Sequence, residues 1–292
     1  MSDPEHRANR GGFIKVRDGL KLHVGHWPAP QSSTRPILCL PGLTRNGRDF
    51  TEIAAAFSSG TEPREVFTLD ARGRGLSDHD PDWRNYSIPT ETQDVIDVMI
   101  ALDLHDAAIL ATSRGGLVAM VLAAIQPGLV GSVVLNDIGP VIEREGLLRI
   151  AGYVGRTPLP NSWDDAARMV ADISRNAFPA VADATWSRVA RAWFNDKNGR
   201  PVPGYDANLG RSFSATDAAP PTLWPQFDAL KHARVLVIRG ETSDLLSAET
   251  VRQMQARHPN CVSHVVKGEG HAPLLMDQPT IKVIQGFFAH AA

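Results

Sequence analysis

Four side chains carry most of the chemistry this sequence could perform: Ser113, Asp137, Asp244 and His271. A serine hydroxyl is a weak nucleophile until a base takes its proton, and an imidazole titrating near neutrality suits that task. The imidazole needs an acceptor on its second ring nitrogen, to fix its tautomer and to stabilise the cation it becomes. Either aspartate could supply it. The chain order serine, aspartate, histidine is the one expected when the serine sits on a sharp strand-to-helix turn.

The surroundings of Ser113 fit such a turn. Residues 107–125 read AAILATSRGGLVAMVLAAI: a short apolar run, a break at Ser113-Arg114-Gly115-Gly116, then a longer apolar run without Gly or Pro. A buried strand feeding a buried helix produces that pattern. Small residues at Ala111 and Gly115 let strand and helix approach closely, and the apex pushes the serine hydroxyl outward. Backbone N–H groups at Arg114 open the helix, where unpaired donors and the positive dipole end favour a developing anion. The plainer alternative is a turn whose serine only caps the helix.

A second loop is expected to complete the anion site. The run Gly42-Leu-Thr-Arg-Asn-Gly47 has the glycine spacing of a phosphate loop but lacks the Lys and Ser/Thr that hold phosphate and magnesium. Turning sharply after a strand, it could aim the Leu43 N–H into a cleft as the second oxyanion donor. Asp70-Ala-Arg72-Gly-Arg-Gly75 is not a dinucleotide fingerprint, and pairing of Asp70 with Arg72 to brace a turn is the expected role. His23 and His26 lie three apart on an alternating strand, hence on opposite faces, which argues against a metal pair.

The elements that must position these groups alternate. Residues 13–18 and 21–27 read as a hairpin turning at Asp18-Gly19, and residues 36–40, 66–69, 132–135, 235–238 and 262–266 as further strands. Helices are expected over 90–103, from near Ser247, and from Pro279 onward. Strands alternating with helices imply a mostly parallel sheet covered on both faces, with reactive groups in loops at the carboxyl ends of strands. All four candidate side chains fall within a few residues of such an end. Residues 140–226 differ in character and read as an inserted helical block, with a Ser162 cap and apolar stripes at Ala166, Met169, Val170 and Ile173 and at Trp186, Val189 and Trp193. The Pro/Gly-rich run 200–221 reads as an irregular connection.

With these pieces in place the chain resembles the α/β-hydrolase-fold superfamily, in its cap-bearing serine hydrolase branch. The matching residues are Leu40-Pro41-Gly42-Leu43, Asp70-x-Arg72-Gly-x-Gly75-x-Ser77-Asp78, Ala111-x-Ser113-x-Gly115-Gly116, Gly240-x-x-Ser243-Asp244 and Gly270-His271-Ala-Pro273. The resemblance implies an eight-stranded, mostly parallel sheet with a helical cap (140–226) after strand six, between core segments 1–139 and 227–292. It also implies Ser113 as nucleophile, His271 as base and acid, Asp244 as the orienting carboxylate, and Leu43 and Arg114 as oxyanion donors. Asp137 is the alternative acid. Asp244 is favoured because a glycine-rich loop leads into it and the next strand delivers His271. Two departures stand out: Pro41-Gly42 where the family usually has His-Gly, and Ala111 where the elbow usually has Gly.

Composition narrows the rest. The 292 residues are 43% apolar and 21% charged, with a formal net charge of −2 and no run of like charges, which offers nothing to nucleic acid or a membrane surface. The first residues lack the apolar core of a signal peptide, and the two cysteines, Cys39 and Cys261, read as buried thiols, so a reducing cytoplasm is the expected setting. The expected reaction is cleavage of an ester, lactone or C–C bond of a small metabolite, needing no metal or organic cofactor. A ligand receptor on the same scaffold and an acyltransferase are the alternatives. Arg45, Arg48 and Arg114 near the expected mouth suggest a carboxylate-bearing substrate, with Arg45 and Trp224 as candidate substrate contacts.

Overall fold

The computed structural model describes residues 11–60, 62–156, 158–212 and 221–289. The opening segment 1–10 and residues 213–220 of the Pro/Gly-rich run lie outside the described residues. The chain begins with an antiparallel hairpin, β1 (Gly12–Lys15) and β2 (Lys21–Trp27), whose turn places Gly19 at φ +96°. It continues through β3 (Ile37–Leu40), α1 (Thr51–Ser58), β4 (Val66–Leu69), α2 (Ile88–Ala101), β5 (Ala107–Thr112), α3 (Arg114–Ile125) and β6 (Val130–Asn136). The chain then leaves the sheet for α4 (Arg144–Tyr153), α5 (Trp163–Ser174), α6 (Thr185–Trp193), the ribbon β7 (Phe194–Lys197) and β8 (Arg200–Pro203), and α7 (Leu209–Ser212). It returns through α8 (Trp224–Asp228) to β9 (Arg234–Gly240), α9 (Ala248–Arg257), β10 (Cys261–Val266) and α10 (Gln278–Ala289).

Eight strands form one sheet in the order β1-β2-β4-β3-β5-β6-β9-β10. From β4 onward every pairing is parallel, and only the β1-β2 and β2-β4 pairings are antiparallel. Alternation along the strands explains why the central ones read as unbroken apolar runs. Leu38, Leu40, Ile109, Ala111, Val235 and Val237 face one buried cluster with α2, α3 and α8. Ile37, Cys39, Leu110, Leu236 and Ile238 face the opposite cluster with α1 and α10. Both cysteines are unpaired and buried, and burial pushes both thiols well above their ordinary range, which suits packing rather than chemistry.

Helix starts follow their caps. Ser87 accepts from the Thr90 N–H and so begins α2 two residues before the expected 90; Ser162 caps α5 and Ser247 caps α9 in the same way. No helix among the described residues is long and apolar enough to cross a membrane.

The excursion after β6 differs from the all-helical block expected. Asn198-Gly199, with φ of +56° and +79°, turns the chain tightly and pairs β7 with β8. An Asn-Gly pair between short extended runs is a hairpin signal, and here it outweighs the helical character of the surrounding segment. The end of the excursion also comes earlier than residue 226. Leu223 N–H donates to Pro140 O (2.7 Å), bringing departing and returning chains together, and α8 buries Phe227 in the core cluster of α3.

Candidate active site

Ser113 follows β5 and opens α3 with φ +51° and ψ −116°, a conformation rarely adopted by a residue with a side chain. Two glycines permit it. A Cβ at Gly115 would lie 2.3 Å from the Leu40 carbonyl oxygen, and one at Gly116 would lie 2.3 Å from Ile138 Cγ2. The Ser113 hydroxyl does not cap α3, as the plainer reading supposed; no side-chain capping bond is made there. Instead Ser113 Oγ lies 2.8 Å from His271 Nε2.

The second imidazole nitrogen overturns one expectation. His271 Nδ1 lies 2.8 Å from Asp137 Oδ2, not at Asp244. Asp137 is fully buried directly after β6, and its carboxylate also accepts from Gly240 N–H (Oδ1, 2.8 Å) and Ser243 Oγ–H (Oδ2, 2.5 Å). A buried carboxylate with three donors is fixed in position. Asp244 turns outward to a bidentate pair with Arg149 of α4 (2.5 and 2.8 Å). Burial opposes its ionisation, and the Arg149 guanidinium outweighs burial, holding the carboxyl below its ordinary range. The physical reason is a competitor from the inserted block: Arg149 lies outside the core motifs and takes both Asp244 carboxylate oxygens, while the His271 ring nitrogen meets Asp137. Ser243, quoted in the sequence only as part of a motif, contributes its hydroxyl to Asp137.

Arg114 directly follows Ser113 as the first residue of α3, and Leu43 lines the same cavity as Ser113. Gly42 packs beside Ser113, where an added Cβ would sit 3.6 Å from Ser113 Cβ. Ser113, His271 and Leu43 open onto a cavity of about 530 Å³ whose apolar wall includes Met169, Val170, Ile173 and Phe178 of the inserted block. Leu274, three residues past His271, packs into the apolar core of that block. The block is tied down on its other side, where Arg48 Nη2 donates to Phe194 O (3.1 Å) and Asn195 Oδ1 (2.7 Å), and Asn46 Nδ2 to Ala192 O (2.8 Å).

The candidate substrate contacts divide. Arg45 lines the cavity, with its guanidinium 3.6 Å over Trp193 and its Nε 2.7 Å from Asp49 Oδ2. Trp224 does not line it: on α8 it packs edge-on against Phe227 and under Arg257, outside the cavity wall. Arg48 is engaged with the ribbon, and the Arg114 side chain pairs with Glu91 (Nε to Oε2, 2.8 Å). Cations that do line the cavity, and that the sequence did not single out, are Arg149 and Arg156. Asp70 likewise departs from expectation: it accepts from Gly47 N–H and Leu76 N–H and meets His23, while Arg72 pairs with Asp80 and Asp94.

A sequence model of the alpha/beta hydrolase family matches residues 37–285. The chain belongs to the α/β-hydrolase family. Among similar proteins, the 3-hydroxybutyrate-oligomer hydrolase of Cupriavidus necator is 31% identical across 97% of this chain and 98% of its own length. The 2-(acetamidomethylene)succinate hydrolase of Mesorhizobium japonicum is 27% identical over 86% of this chain and 87% of its own. The crystal structure of an alpha/beta hydrolase from Novosphingobium aromaticivorans superposes with a TM-score of 0.89 at 36% identity, covering 97% of this chain and 99% of that one. The fold is the α/β-hydrolase fold expected from the sequence, and the chain is a hydrolase enzyme.

Proposed function

We propose that the chain hydrolyses an ester of a short hydroxy acid through Ser113, His271 and Asp137, with Leu43 and Arg114 as oxyanion donors. One observation carries the reading: the unbroken relay from Ser113 Oγ through both ring nitrogens of His271 to the buried Asp137 carboxylate. His271 takes the serine proton as Oγ attacks the ester carbonyl, and the carbonyl oxygen gathers negative charge between the two N–H groups. His271 then passes the proton to the departing alkoxide. A water activated by the same imidazole cleaves the acyl-serine and returns the enzyme to its start. Asp137 holds the imidazole in its productive tautomer and stabilises the cation it becomes.

The substrate class is supported by three things together. A relative aligned along nearly the whole chain is named for hydrolysis of 3-hydroxybutyrate oligomers, the cavity is largely apolar, and guanidiniums of Arg45, Arg149 and Arg156 lie in its wall. Arg45 and Arg149 already face the carboxylates of Asp49 and Asp244, so Arg156 is the cation we assign to a substrate carboxylate.

The test is turnover of linear 3-hydroxybutyrate dimer and of a short p-nitrophenyl ester by the wild type and Ser113→Ala. The wild type is expected to cleave both, and Ser113→Ala to lose roughly 10⁴-fold or more in kcat. Equal rates in the two proteins would overturn the serine mechanism. Cleavage of the p-nitrophenyl ester but not the dimer would overturn the substrate class alone.

A further inference from the structure

Glu91 of α2 lies between two guanidiniums, deep beside the site. Its Oε1 accepts from Arg74 Nη1 (2.8 Å) and Arg114 Nη2 (3.0 Å), and its Oε2 accepts from Arg114 Nε (2.8 Å). The Arg74 and Glu91 side chains are 1% and 5% exposed. Taking three charges out of water is costly, and for stability alone a well-packed apolar trio would serve as well or better. Burial works against ionisation of Glu91, and the guanidiniums of Arg114 and Arg74 outweigh it, keeping the carboxyl below its ordinary range. The arrangement also tolerates an unfilled donor, because buried Arg74 Nη2 has no partner among the described residues. A feature with these costs calls for a use, and its outer contacts suggest one.

Arg74 Nε donates to the carbonyl oxygen of Leu43 (2.8 Å), and Arg74 Nη1 also donates to Arg72 O (2.7 Å). Leu43 C=O and Leu43 N–H belong to adjacent peptide planes hinged at one Cα, so holding the carbonyl limits the swing of the N–H. At the other arm, Arg114 is the first residue of α3, and its Nη2 also donates to Tyr86 O (3.0 Å). The side chain therefore pins the residue whose backbone N–H stands beside Ser113. One carboxylate thus ties the loop after β3 to the first turn of α3.

We infer that Arg74, Glu91 and Arg114 form a positioning network that sets the spacing of the Leu43 and Arg114 N–H groups around the developing oxyanion. Glu91 is its centre, and none of the three side chains touches substrate. The inference rests on the serine mechanism above. It gives Arg114 two separate duties: its backbone donates to the oxyanion, and its side chain is an anchor turned away from the cavity.

The experiment compares a p-nitrophenyl ester with its thionoester, in which sulfur replaces the carbonyl oxygen. Sulfur is larger and accepts hydrogen bonds weakly, so it draws little from two N–H groups spaced for oxygen. The wild type is expected to prefer the oxoester. Glu91→Gln is expected to lower kcat on the oxoester about 10–100-fold, a large part of the 10²–10³-fold typical of losing one oxyanion donor. KM and the thionoester rate should hold within a few-fold, so the preference collapses. Arg114→Leu, which removes the more solvent-exposed arm, should shift the preference the same way and provides the reading if Glu91→Gln fails to fold. Equal losses on both esters, or a change confined to KM, would overturn the network. Ser113→Ala separates the two levels. If it retains turnover, the serine mechanism falls; if it is inactive while both variants keep the wild-type preference, only the network falls.

Discussion

Asp137 receives three donors from two distant parts of the chain: the Gly240 amide and Ser243 hydroxyl at the end of β9, and the His271 ring. That convergence gives this carboxylate, on the proposed mechanism, the role that Asp244, paired with a guanidinium on α4, does not take. On the proposed mechanism, Asp137→Asn leaves the ring held in the wrong tautomer and should lower kcat about 10⁴-fold. Asp244→Asn should leave kcat within a few-fold. Steady-state rates of the two variants on one p-nitrophenyl ester check this, and matched losses would contradict it. Ser113 and His271 are legible in the sequence because each sits in a glycine-marked turn that only tight backbone geometry requires. Asp137 and Asp244 both follow strand ends, and spacing alone does not separate them. What decides between them is Arg149, and no local pattern tells which distant carboxylate an exposed arginine will meet.

Between α4 and the core, the Arg149–Asp244 pair acts as a clasp, seconded by Thr242 Oγ1–H donating to Ala177 O (2.7 Å). A partly exposed bidentate pair contributes about 0.5–1 kcal/mol. The Asp244 carboxyl is held below its ordinary value, burial being outweighed by Arg149, so this contribution is complete above the usual carboxylate range. It is lost as pH falls through the lowered folded value. Asp244→Asn should therefore lower Tm by a few degrees near neutrality, and the difference from wild type should shrink as pH falls below about 4 and vanish below the lowered folded value. Thermal unfolding across pH reads it, and a gap that widens in acid would contradict the clasp. The elbow gives a steeper test. Gly115→Ala drives a methyl to 2.3 Å from the Leu40 carbonyl oxygen, where backbone must yield, and should cost about 1–3 kcal/mol. Urea unfolding measures that cost. The strands of the parallel sheet are legible as apolar runs because both faces are covered, and the caps at Ser162 and Ser247 are legible as single residues. The β7–β8 ribbon is signalled only by Asn198-Gly199 within a segment whose tryptophan stripes are helical.

At the scale of the whole molecule, a parallel sheet gathers the ends of β3, β5, β6 and β9, and the loop after β10, along one edge, and the block inserted after β6 roofs it. The strands are encoded locally, one by one, so their places in the chain and the ends at which chemistry gathers follow from the sequence, whereas their order in the sheet is set only by the folded chain. The cavity is not. Its wall is assembled from α4, α5, Trp193 and the His271 loop, which meet only in the folded chain, so Trp224 could be mistaken for a wall residue and Arg156 passed over. If Arg156 meets a substrate carboxylate, Arg156→Gln should raise KM about 10-fold for a carboxylate-bearing ester, a loss of about 1.4 kcal/mol. KM for the matching neutral methyl ester should stay unchanged. An equal rise for both would point to lost packing instead.

The proposed mechanism requires Ser113 to form a covalent bond with the substrate. A fluorophosphonate, which phosphonylates an activated serine, tests it by intact-mass and peptide mapping. One adduct per chain is expected, placed on Ser113, forming in step with loss of esterase activity and absent from Ser113→Ala. His271→Ala should slow its formation by orders of magnitude, because the hydroxyl loses its base. Inactivation without an adduct on Ser113, or full activity in protein carrying that adduct, would contradict the account.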